Sequence, residues 1–180
     1  MHADDVQRSS ASDPFFLMYE DDDGQVHDIT WKSAVPAIHT AARKIQHLVS
    51  SQPSSSVPVI AMLVAADSIS YYMMIAGIMR AGFVAFPISV RNSDKAVAHL
   101  LKASNAHHVL VSQDPGMRNL LSAALKLLDR HGITESPILT FNELYAKAEK
   151  ADPLSPVQAD HSTRAIIMHS SGKSHAYAED

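Results

Sequence analysis

The chain has 180 residues, a formal net charge of −4 and no cysteine. Those totals exclude disulfides, thiolate metal sites and cysteine nucleophiles, and give no cationic footprint for nucleic acid or an acidic membrane surface. With 46% hydrophobic and 19% charged residues, the composition is that of one globular domain with a substantial core.

Residues 1–13 are polar, show no secretory signal pattern and are expected to form a disordered tail. Phe15 to Tyr19 and Val26 to Ile29 read as two strands joined by a hairpin turn at Asp23-Gly24. The run Glu20 to Asp23 offers carboxylates to a cation but lacks the ligand spacing of a calcium loop, so it reads as a solvated turn. Thr30 is placed to cap a helix from about Trp31 to Val49. Ala34, Ile38, Ala41, Ala42, Ile45 and Leu48 recur on it at helical spacing. Pro36 falls near its first turn, and His39 and His47 are expected at the surface or an interface. Ser50 to Ser56, with Pro53, is a loop by composition.

Pro58 to Ile88 is the organising stretch. Val59 to Val64 suits a strand, Asp67 or Ser68 supplies an N-cap oxygen, and Ile69 to Arg80 reads as a helix apolar on nearly every side. Gly82 sits where a left-handed residue ends a helix. Phe83 to Phe86 is a second strand, closed by Pro87. Neither strand alternates with polar residues, as expected of parallel strands covered on both faces. Strand, helix and strand make a right-handed βαβ unit. Its most apolar stretch, Tyr71 to Met79, meets Arg80 too early to span a bilayer.

Beyond it, Ser93 starts a helix to about Ala103, with Ala96, Val97, Leu100 and Leu101 inward and Asn105-Ala106 at its close. His107 to Val111 is a strand. Neighbours on a strand point to opposite faces, so His107 and His108 do not read as a metal pair. Asp114-Pro115 begins a helix running to about His131, with Gly132 ending it. Pro137 to Thr140 reads as a short strand, and Phe141 to Ala148 as a short helix with Asn142 a candidate cap. Asp152 to Gln158 is a linker-like loop. Arg164 to Met168 reads as a last strand. The alternation predicts an α/β fold: a doubly wound, mostly parallel sheet with an N-terminal hairpin.

That last strand empties into His169-Ser170-Ser171-Gly172-Lys173-Ser174. Small residues let a backbone approach a ligand closely, and successive N–H groups and hydroxyls can cradle phosphate oxygens. Lys173 adds a point charge. A Walker-type loop would need glycine where Ile167 stands and a helix afterwards, for which the residues up to Asp180 leave no room. Read alone, the loop is equally a polar tail.

Three passages resemble the N-terminal part of the adenylate-forming superfamily: acyl-CoA synthetases, luciferases and nonribosomal peptide synthetase adenylation domains. Ile29-Thr30-Trp31 resembles the family's first core motif. Met79 to Ser89 resembles the second, with Arg80-Ala81-Gly82 and Pro87 in place. Ala165 to Gly172 resembles the opening of the phosphate loop. Its His-Ser-Ser-Gly form is most similar to nonribosomal-synthetase-like carboxylic acid reductases. The resemblance implies that residues 14–172 are part of an adenylation N-terminal subdomain. It implies activation of a small carboxylic acid by ATP, with Mg2+ assisting, to an acyl-adenylate and pyrophosphate. By the same likeness Ser170, Ser171 and Gly172 are loop positions, His169 stands at the entrance and Ser174 stands for the loop threonine. No catalytic residue or metal ligand is assigned.

The departures imply more. Lys173 occupies a Ser/Thr position, the loop lysine has no counterpart, and 173–180 is a divergent tail. The chain is therefore expected to be cut within its phosphate loop and inactive alone, with ATP and Mg2+ implied for the full-length family and no cofactor assigned to this chain. Alternative readings are a non-catalytic truncated paralogue acting as an interaction module, and a small nucleotide-binding α/β protein. The expected setting is cytoplasmic, with no membrane or nucleic-acid partner, and with self-association through exposed apolar surface.

Overall fold

The computed structural model describes residues 13–20, 24–49, 57–128, 132–145, 154–157 and 163–169. In chain order these form β1 (Phe15–Glu20), β2 (Val26–Thr30), α1 (Trp31–Val49), β3 (Val59–Leu63), α2 (Ser68–Arg80) and β4 (Val84–Pro87). Then follow α3 (Asp94–Ser104), β5 (His108–Val111), α4 (Pro115–Lys126), β6 (Thr134–Pro137) and α5 (Phe141–Tyr145). β1 and β2 pair antiparallel as a separate hairpin, while β4-β3-β5-β6 form one parallel sheet in that order. The α/β architecture with an N-terminal hairpin is thus as expected.

β3 lies at the centre, and Ile60, Ala61, Met62 and Leu63 are all fully buried. Successive side chains point to opposite faces. Ile60 and Met62 accordingly enter a core with α1 and α2, and Ala61 and Leu63 one with α3 and α4. At about 1.5–3 kcal/mol for each fully buried large apolar side chain, these two layers are the main stabilising term. The hairpin docks through aromatic rings. Phe16 sits 4.2 Å from Trp31 and 5.5 Å from Tyr72 between centroids, and Tyr19 sits 5.8 Å from Phe141.

The ends of α2 follow from local chemistry. Ser70 N–H donates to Asp67 Oδ1 at 2.7 Å. At the other end Gly82 takes φ +86°, its N–H donates to Met79 O and Phe83 N–H reaches Ile78 O at 3.1 Å. This is the Schellman pattern, which favours glycine because a Cβ is strained at positive φ. α2 is less enclosed than its composition predicts. Tyr72 is 49% exposed and Met79 is also exposed, because α1 covers only one side of it.

The contact between α1 and α2 is close. A Cβ placed on Gly77 would stand 2.4 Å from Ala41 Cβ. Gly77 is therefore a packing glycine, a role its place in an apolar run does not reveal.

Several boundaries differ from the sequence reading. α1 begins after Thr30 as expected, but Lys32 N–H donates to Asp13 Oδ1 and Trp31 N–H to the Pro14 carbonyl, from far along the chain. His39 is buried rather than superficial, and its Nδ1 accepts the Leu154 N–H at 3.2 Å. Pro36 lies inside α1. α4 stops at Lys126, not near His131, because Leu127 and Leu128 N–H turn to the carbonyls three residues back. β6 is Thr134–Pro137 rather than Pro137 to Thr140. Its register against β5 selects polar, largely exposed edge residues, and buried Ile138 follows just beyond. Pro137 is tolerable at such an edge. α5 is capped by Thr140 rather than Asn142. Thr140 Oγ1 accepts from Glu143 N–H, and Glu143 Oε2 accepts from Thr140 N–H at 2.9 Å, a capping box. The expected strand Arg164 to Met168 is reduced to one parallel bridge, Ala85 to Ile166.

Two outcomes test this packing. Gly77→Ala should destabilise the chain by about 1–3 kcal/mol from overpacking, outweighing a helical gain of roughly 1 kcal/mol. A second change, Ala41→Gly, should recover part of that loss in urea unfolding. The other test concerns His108, which is buried on β5 with Thr134 Oγ1 2.7 Å from its Nδ1. Its Nε2 has no partner among the described residues. Burial lowers its pKa, so below the ordinary value of about 6.5 the unfolded chain binds more protons. Stability should therefore fall as pH drops below 6.5 towards the folded value. His108→Leu should flatten that part of the stability–pH curve. An unchanged slope would remove His108 as its cause.

Candidate functional site

In an open parallel sheet, ligands bind outside the carboxyl ends of the strands where successive connections leave to opposite faces. Here β3 leads to α2 on one face, and β4 leads to α3 on the other. The connections diverge and leave a cleft of about 650 Å³ between the two strand ends. Val64, Ala65 and Ala66 beyond β3 form one wall, and Ile88, Ser89 and Val90 beyond β4 the other. Tyr71, Tyr72 and Ile75 of α2 line its flank. The loop after β3 is fixed from below, where Ala65 N–H donates to the Oγ of buried Ser112 at 3.2 Å.

His169 arrives at this edge from the far end of the sequence. Ala85 N–H donates to Ala165 O at 2.9 Å and Ile167 N–H to Ala85 O at 2.8 Å, laying the segment parallel along β4. Ser89 N–H then donates to His169 Nε2 at 3.1 Å. The His169 ring stands edge-on to Phe86, with centroids 6.1 Å apart at 84°. Accepting at Nε2 places the proton of the neutral ring on Nδ1. His169 therefore presents an N–H donor at Nδ1.

Of the sequence-derived site residues, His169 is the one described, and it lies at the carboxyl end of β4. Ser170, Ser171, Gly172 and Ser174 lie outside the described residues. The sequence reading missed Ser89 as the partner of His169, and Ser112 and Tyr71 as parts of the surroundings. A signal for Ser89 was present: Pro87-Ile88-Ser89 closes one motif, His169 opens another, and both follow parallel strand-like segments.

Burial also raises the Tyr71 hydroxyl pKa. Nearby, Tyr145 is pushed up to about 12 by burial, then by Tyr19 and Asp67. Both phenols are neutral donors at neutral pH. Among the described residues no group of three or more His, Asp or Glu side chains could hold a metal ion.

The described residues define an α/β architecture with a parallel sheet and a cleft at its carboxyl edge. Comparison with known proteins narrows it. The family described as AMP-binding enzyme matches residues 11–172, and the chain belongs to that family. It is 32% identical over 179 residues to adenylate-forming reductase Nps10 of Heterobasidion annosum, covering 92% of this chain and 16% of that protein. It is 26% identical over 170 residues to adenylate-forming reductase Nps11 of Serpula lacrymans var. lacrymans (strain S7.9), covering 88% and 15%. The chain thus spans about a sixth of the length of these curated relatives. Among solved structures, Brucella canis acyl-CoA synthetase superposes with a TM-score of 0.71 at 17% identity, over 97% of this chain and 32% of that one. Apo MatB from Rhodopseudomonas palustris gives 0.63 at 18% identity, over 96% and 33%. These likenesses establish the fold.

Proposed function

We propose that residues 14–172 supply the first part of an AMP-forming adenylation module, which activates a small carboxylic acid with ATP to an acyl-adenylate and pyrophosphate. The observation that carries this reading is the delivery of His169 to the β3/β4 carboxyl edge by the Ser89 N–H. Ser170, Ser171 and Gly172 follow His169 directly in the sequence. The family membership and the ATP-bound state named for one MatB structure of the same fold support it.

In this reading the hydroxyls and N–H groups of Ser170, Ser171, Gly172 and Ser174 hold phosphate oxygens. His169 adds its Nδ1–H. Positioning and charge neutralisation are what a protein contributes to attack of a carboxylate on phosphorus. Mg2+ is implied by the family likeness. Among the described residues the cleft walls carry no carboxylate to hold it, and no step of the mechanism is assigned to it. The residues after Gly172 depart from the family pattern, and we assign 173–180 to a divergent tail. The 180-residue polypeptide alone is proposed to be inactive, since the chain spans about a third of the length of the acyl-CoA synthetase it superposes on. A cytoplasmic setting is part of the same proposal; among the described residues no helix is long and apolar enough to cross a membrane.

Titration with ATP and magnesium should move the amide resonances of Ser89 and of residues 163–169 first, with saturation below about 10 mM. No change there would sink the phosphate-loop reading. Carboxylate-dependent ATP–pyrophosphate exchange by the same pure chain should be absent, and robust exchange would overturn the proposed inactivity.

We also infer that the chain self-associates. Phe15, Met18 and Val26 on the hairpin are each more than half exposed, as is Met168 on the segment beside β4. Sedimentation at increasing concentration should show a rising average mass. A monomer throughout would refute it.

A further inference from the structure

The amino-terminal edge of the sheet carries a second recess, of about 470 Å³, beneath the segment that later reaches His169. One side is apolar, built from Val59 of β3, Val84 of β4 and Ile167. The other is polar: Ser104 at the end of α3, His107 just before β5, and Arg164. Apolar walls with a few polar groups at one side are the usual composition of a small-molecule site.

Among the described residues the charge lining the recess is one-sided: no Asp or Glu lines it. Arg164 has no hydrogen-bond or ion-pair partner among the described residues, and a guanidinium is charged at any ordinary pH. The carboxyl end of α3 points here and would favour a cation. Two of its last four carbonyls, those of Leu101 and Lys102, are engaged by the N–H groups of Asn105 and Ala106. Arg164 thus brings a fork of donors to the lining of a space whose other lining includes Val59, Val84 and Ile167.

We propose that this recess binds a small monocarboxylate with a compact apolar body. The carboxylate meets the Arg164 fork, whose planar geometry matches two oxygens, and His107 offers one further ring N–H. The hydrocarbon part lies against Val59, Val84 and Ile167. Inorganic phosphate would satisfy the arginine but leave the apolar wall to water. A neutral amide would cover the wall but forgo the ion pair.

The test is a titration of the full chain with octanoate, octanamide and inorganic phosphate in parallel, read from amide resonances. Octanoate should saturate below about 10 mM, moving Ser104, Asn105 and His107. Octanamide and phosphate should each bind roughly tenfold more weakly or not at all, and Arg164→Met should weaken octanoate by a similar factor. Arg164→Lys, which keeps the charge without the fork, should lose less. Arg164 is exposed, so its replacement leaves the core intact. Equal binding of octanamide, equal binding of phosphate, or octanoate binding unchanged by Arg164→Met would each overturn the assignment, as would no saturation at all. ATP at the other edge is read from Ser89, so the two sites can fail independently.

Discussion

The structure depends on β3 having no free side. Its backbone is paired in parallel with β4 on one edge and β5 on the other. Its side chains from Ile60 to Leu63 are withdrawn from water on both faces. A strand so placed must be covered by helices above and below, because parallel strands are joined by crossovers that lie on the faces. α1 and α2 close one face, and α3 and α4 the other. Where α1 crosses α2, Gly77 meets Ala41 with no room for a further carbon.

Parallel strands give the sheet two unlike ends. At the carboxyl end the divergence of the connections after β3 and β4 opens a cleft, and at the amino end the strands begin beside the close of α3. A late segment can run parallel to β4 only by entering at the amino end. The chain is brought there by a clasp. Arg80 donates from Nη1 to the Ser155 carbonyl at 2.8 Å and from Nη2 to the Leu154 carbonyl. His39 accepts the Leu154 N–H from the other side, and Val157 lies beside Gly82. Arg80 and Gly82 belong to the passage that marks the family, so part of that passage holds the chain that later delivers His169.

The family membership and the partial span of the chain fit this picture. The described residues contain a complete two-layer core around β3, and the likeness to acyl-CoA synthetases covers nearly all of this chain but a third of theirs. His169 stands at the carboxyl edge of the sheet, and the residues proposed to hold phosphate come after it in the sequence.

The sequence by itself determined whatever depends on neighbours a few residues apart. The β3-α2-β4 unit was legible from continuous apolar runs, and the caps at Asp67, Ser93 and Asp114 from their side-chain oxygens. The positive φ of Gly82 was legible where a helix closes. The Thr140–Glu143 box was also present in the sequence, at the spacing of a capping box, and was passed over for Asn142. Only the tertiary structure decided the rest. Polar Thr134–Pro137 became a strand because β5 offered an open edge. Asp13 served α1, His39 was buried under Leu154, and His169 met the Ser89 N–H, all across separations that no local pattern encodes. Periodicity and capping are properties of one segment, whereas an edge, a clasp or a cleft exists only when two distant segments arrive at one place.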